Sequence, residues 1–108
     1  MDASIRVKAL LLIRASKPVD KLRSVLAGVS AATLNYMPPE SSVSSGDTLL
    51  HEVVSCSYDA EMKDFSPELG AEYINLLIEL GADVTLTFDG QTPADMDVGR
   101  KYPMLLPK

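Results

Sequence analysis

The chain has 108 residues, 46% of them hydrophobic, with ten basic and fifteen acidic side chains and a formal charge of −5 at pH 7. That length is most simply one domain, and the apolar content with mixed charges argues for a folded rather than a disordered chain. The acidic balance disfavours nucleic acid or an anionic membrane surface as partner, and suits a basic protein partner or plain solubility.

Residues 3–15 are the first helical candidate. Ile5, Ala9, Leu12 and Ile13 fall on one face, and Val7, Leu10 and Leu11 extend it. The apolar run Ala9–Ile13 is only five residues long and is bracketed by Arg6, Lys8 and Arg14. It is too short to span a bilayer, and no small-residue cleavage site follows it. Pro18 disfavours helical geometry at Lys17, so the helix breaks there. A second amphipathic segment sets Val19, Leu22, Val25 and Leu26 against outward Asp20, Lys21 and Arg23, with Gly28 as its stop. The two segments form a helical hairpin. Residues 29–47 read as connector: Ala31, Ala32, Leu34 and Tyr36 can pack down, but Pro38-Pro39 and the serine-rich stretch to Asp47 are loop composition.

Tyr58, Met62 and Phe65 either extend a helix or pack as a loop. Ser66-Pro67-Glu68 is a clear helix start, with a capping hydroxyl, proline at the first position and an acid in the first turn. That helix is predicted to run to Leu80. Ile74, Leu77 and Ile78 form its stripe, Tyr73, Leu76 and Leu80 widen it, and Glu72, Asn75 and Glu79 face away. Gly81 closes the last turn, and Val84 to Phe88 alternates as an extended run would. After Gly90, Thr92 is a good N-cap and Pro93 suits the first helical position. Gly99 and Pro103 oppose a full further helix, and Tyr102 to Leu106 is expected to fold back as an apolar lid.

The run Glu72 to Val84, Glu-Tyr-Ile-Asn-Leu-Leu-Ile-Glu-Leu-Gly-Ala-Asp-Val, followed by Gly90-Gln91-Thr92-Pro93, resembles the ankyrin repeat. That unit ends in a helix of the Glu-Ile-Val-Lys-Leu-Leu-Leu-Glu-x-Gly-Ala-Asp-Val kind and restarts with Gly-x-Thr-Pro-Leu-His. Gly46 to Val54 resembles the restart, with Leu49 replacing proline and Val53-Val54 replacing the small pair. Asp20 to Leu26 resembles the second helix, with Leu22, Val25 and Leu26 at its buried positions. The first helix lacks the restart motif, as terminal repeats often do. Between His51 and Glu72 stand twenty residues, where the repeat has about eight, so roughly a dozen are inserted between two helices. The resemblance implies an all-α fold: a short ankyrin-repeat-like solenoid of about two and a half helix-turn-helix repeats, in one domain over 1–108. Its parts are an N-terminal capping hairpin (1–30), a long finger loop (31–47), a central repeat (48–89) with an insertion at 57–66, and a partial C-terminal repeat (90–108).

Little in the chain points to chemistry. Cys56 is the single cysteine, so no internal disulfide forms, no Cys/His cluster holds zinc, and a reducing cytoplasm suits the chain. Nothing basic lies near Cys56 in sequence except His51, and a small buried thiol is expected. By the resemblance, His51 hydrogen-bonds backbone around a repeat start. Asp59/Glu61 and Asp95/Asp97 are two residues apart and do not converge on a helix face. Gly81, Gly90 and Gly99 build no phosphate loop. No enzyme activity, cofactor or metal is expected.

The resemblance instead implies a protein-protein interaction module that binds a protein partner, itself a monomer or weak dimer. The finger residues Thr85, Thr87, Phe88, Asp89 and Gln91 and the inner-helix residues Glu52, Ser55 and Asp95 would form its surface. Phe88 either anchors the partner or packs on a neighbouring finger or the 36–45 loop. Tyr58 and Phe65 are second-rank anchors. Two alternatives stand beside a scaffold: an inhibitor or immunity-type protein occluding an enzyme active site, and a regulatory ankyrin segment of a larger protein.

Overall fold

The computed structural model describes residues 3–35, 48–88 and 90–106. They form helices α1 (Ala3–Arg14), α2 (Val19–Leu26), α3 (Ala31–Leu34), α4 (Leu49–Ser57), α5 (Pro67–Glu79) and α6 (Pro93–Met96), then a 3-10 turn at Pro103–Leu105. The fold is all-α. No strand forms among the described residues, where β pairing is confined to one bridge between Phe88 and Gln91.

Hydroxyl caps fix where three of these helices begin. Ser66 Oγ accepts the Leu69 N–H at 3.1 Å and Pro67 fills the first turn, so α5 starts where its sequence says. Thr48 caps α4 through the His51 N–H, and its own N–H returns to His51 Nδ1, each at 3.4 Å. Thr92 and Asp95 form the same reciprocal pair on α6, at 3.1 and 3.0 Å. Two of the helices stop at glycines with positive φ, Gly28 after α2 (φ 78°) and Gly81 after α5 (φ 107°). Gly81 is needed twice over, because a Cβ there would lie 2.9 Å from the Ala31 Cβ on α3.

Three expectations are corrected. Residues 29–47 are not connector throughout, since the one-turn helix α3 forms within them and buries Leu34, while Ala31 and Ala32 stay exposed. Val84 to Phe88 does not run as an extended strand; it turns at 84–85 and pairs only through Phe88. Val7 and Leu11 do not join the buried face of α1: they are 46% and 63% exposed. The long loop of 36–47 and its Tyr36 lie outside the described residues.

The helices pack in two layers. α1 lies on α2 and α4 on α5, while α1 also meets α4, α4 meets α6, and α2 meets α5. Layer one is therefore α1, α4 and α6, and layer two is α2 and α5. Between them Ile13, Leu22, Leu26, Leu50, Val53, Ile74, Leu76 and Leu77 form the core. Residues 58–66 cross between α4 and α5 as turns rather than extending α4, with Phe65 buried and tilted against the Tyr73 ring at 5.8 Å. The C-terminal segment folds back as an apolar lid, leaving Tyr102 and Leu105 essentially without exposure. Tyr102 rests on Gly70 of α5, where a Cβ would come within 2.0 Å of its hydroxyl.

Candidate protein-docking face

The residues singled out for partner binding divide into those the fold already uses and those it leaves open. Phe88 is half-buried, its ring edge-on to His51 with centroids 6.2 Å apart. Gln91 exchanges backbone hydrogen bonds with Phe88 at 2.8 and 3.0 Å, which closes the finger around Gly90. Thr85 is exposed and gives its N–H and hydroxyl to Asp83 Oδ1, at 2.8 and 2.5 Å. Those bonds hold the Asp83 carboxyl below its usual range. Thr87 is exposed, and Asp89 lies outside the described residues. Asp95 spends its carboxylate on the Thr92 N–H, which lowers its pKa as well. Glu52 is buried, only 6% exposed, and paired with Arg14 at 3.0 Å. Of the inner-helix candidates, Ser55 is exposed with a cleft on either side.

Those two clefts define a face. One, of about 450 Å³, is lined by Arg14, Glu52, Ser55, Cys56, Asp59, Glu61 and Met62. Its neighbour, of about 440 Å³, is lined by Val54, Ser55, Tyr58, Asp59, Met96 and Val98. Ser55 and Asp59 belong to both, so the clefts adjoin along α4. Val7 and Leu11 lead away from the first cleft, because they sit seven and three residues before Arg14 on the same helix face. Of the five exposed large apolar side chains among the described residues, Tyr58 and Val98 line the second cleft, and Val7 and Leu11 continue the Arg14 stripe that reaches the first. The fifth, Leu106, lines a separate hollow beside Pro103.

A polar network fixes the C-terminal rim of this face. Tyr58 donates its hydroxyl to Asp97 Oδ1 at 2.5 Å and accepts the Gly99 N–H at 2.7 Å. Asp97 also accepts the N–H groups of Lys101 and Tyr102 at 3.0 and 2.8 Å. Burial alone would raise the Asp97 carboxyl, but the bonds from Tyr58, Tyr102 and Lys101 outweigh it and hold the pKa down. Burial likewise raises the Tyr58 hydroxyl, helped by its carboxylate neighbour. Lys101 lays its ammonium 4.4 Å over the Tyr58 ring and donates to the Ser57 carbonyl at 3.1 Å.

Sequence reasoning missed Val7, Leu11, Met62 and Val98 as parts of this surface. Periodicity places Ile5, Ala9, Leu12 and Ile13 on the inward face of α1 but counts Val7 and Leu11 with them; the available signal against that is Arg14, on the stripe of Val7 and Leu11. Among the described residues no group of three His, Cys, Asp or Glu side chains could hold a metal ion, and no helix is long and apolar enough to cross a membrane. No family model, curated protein or solved structure matches the chain.

Proposed function

We propose that the chain is a non-catalytic protein-binding module of the ankyrin-repeat type, about two and a half units long, which docks its partner on the α1–α4–α6 face. The adjoining clefts at Ser55, bordered by Val7, Leu11, Tyr58 and Val98, carry the reading. The repeat assignment draws on the two-layer order of the hairpins and on His51, which caps one unit and bonds the Gln91 carbonyl of the next at 2.9 Å. The partner surface shifts away from Phe88 and Glu52, since both side chains are engaged within the fold. His51 and Cys56 are buried, which speaks against nucleophilic or acid–base use.

Affinity capture with the wild type, Ser55→Arg and the outer-face control Asn75→Arg tests the proposal. The partner is lost with the first variant and kept with the second; capture indifferent to Ser55→Arg overturns it. A second reading, a repeat segment working inside a larger protein, draws on the exposed Leu11 and Val98, which a further unit could cover. Self-association of the isolated chain that Leu11→Ser abolishes favours that reading.

A further inference from the structure

The docking face is uneven in charge, and the unevenness constrains what lies on it. Arg14 is already matched by Glu52, whose side chain is 8% exposed. On the same cleft Asp59 and Glu61 are both exposed, and among the described residues neither has a cation within ion-pair distance. Asp59 Oδ1 accepts the Glu61 N–H at 2.9 Å, which pins the two carboxylates together in one turn. Met62 and Cys56 give the cleft apolar walls, and Met62 adds a side chain that adapts to what it meets. In both directions from this acidic centre the surface turns aliphatic: Leu11 and Val7 on α1, Met96 at the end of α6 and Val98 just after it.

We infer that the face takes an amphipathic helix of a protein partner carrying Lys or Arg between two aliphatic anchors, an inference that rests on the docking-face reading above. The cation meets Asp59 and Glu61 while its stem lies over Met62, and the anchors cover Leu11 and Val98. Successive packed helices stand about 8–10 Å apart, so two steps from α1 through α4 to α6 separate the anchors by roughly 16–20 Å. That span is about eleven to thirteen residues of helix at 1.5 Å each. A phosphate-bearing ligand is repelled by the same two carboxylates.

Three synthetic helices of about sixteen residues test this against the full chain by fluorescence anisotropy. One carries leucines at the inferred spacing with a central arginine, one has glutamate for that arginine, and one has serines for the leucines. The arginine helix is expected to bind roughly tenfold tighter than the glutamate helix, a scale set by two exposed charge contacts. Glu61→Lys abolishes that preference and Asp59→Asn, which keeps the turn's acceptor, reduces it. The serine helix and the variants Leu11→Ser and Val98→Ser bind several-fold more weakly. Equal binding of the arginine and glutamate helices, both lost on Ser55→Arg, overturns the charge assignment and leaves the docking face standing. Binding of the arginine helix that ignores Ser55→Arg overturns both. No binding by any helix, or self-association in sedimentation velocity that Leu11→Ser removes, overturns the inference, the latter because a second copy then occupies the face.

Discussion

His51 joins the start of α4 to the turn before α6. It is fully buried, with Nε2 2.9 Å from the Gln91 carbonyl and Nδ1 2.7 Å from the Thr48 hydroxyl. A carbonyl only accepts, so Nε2 carries the proton; Nδ1 then accepts from the Thr48 hydroxyl and faces the Thr48 N–H. The neutral ring is the one that fits, and burial lowers the His51 pKa below the ordinary histidine value of 6.5. The unfolded chain takes up a proton near pH 6.5 while the folded chain resists it, so stability present above that pH is lost as pH falls toward the folded pKa. Thermal melts between pH 7 and pH 5 are expected to show this loss, and His51→Gln to flatten it while lowering stability throughout. Asp97 is the second such residue. Asp97→Ala strands the N–H groups of Lys101 and Tyr102, and should cost about 2–4 kcal/mol in denaturant unfolding. Asp97→Asn, which keeps one acceptor oxygen, is expected to cost less.

Gly70 shows how an element is chosen by what lies on it. A glycine inside α5 sacrifices roughly 1 kcal/mol of helix propensity. Tyr102 takes its place against the helix, with its hydroxyl 2.6 Å from Ser57 Oγ. Gly70→Ala should therefore destabilise by about 1–3 kcal/mol despite the better helix former, because the ring must leave. Faster amide exchange at Leu105 would report the detached lid; an unchanged lid with a higher Tm would refute the packing. Elements marked by their own caps were legible in the sequence: Ser66-Pro67 and Thr92-Pro93 place α5 and α6, and Gly28 and Gly81 end α2 and α5. α3 was not, since its single turn is held by tertiary contact, with Ala31 against Gly81 and Asn35 bonding the Gly81 carbonyl and Asp83 N–H at 3.1 and 2.7 Å. Of the candidate site, the exposure of Ser55 agrees with the inner-helix position that the resemblance gives it. The burial of Glu52 was not legible, because it depends on Arg14 arriving from another hairpin.

At the scale of the molecule, charge is segregated along the chain. Residues 1–35 hold six basic against two acidic residues, giving +4, and residues 48–89 hold one basic against nine acidic, giving −8. The ion pairs Arg14 to Glu52, between α1 and α4, and Arg23 to Glu79, between α2 and α5, join these regions at 3.0 and 3.2 Å. The second pair is largely exposed and contributes at most about 1 kcal/mol, so the wider field matters more. Raising NaCl from about 0.01 M to 1 M shrinks the Debye length from roughly 30 Å to 3 Å. Hydrogen exchange in α1 and α2 should then quicken more than in α4 and α5; equal change in both would show that apolar packing alone holds the hairpins together. The crossing between α4 and α5 has a different consequence. Its ends are fastened, Tyr58 to Asp97 and Phe65 against Tyr73, while Lys63 between them is exposed. A tryptic nick after Lys63 should leave two pieces that elute as one native particle. Expressed separately, those pieces should find each other again, which makes this turn a natural place to divide the protein into a complementing pair.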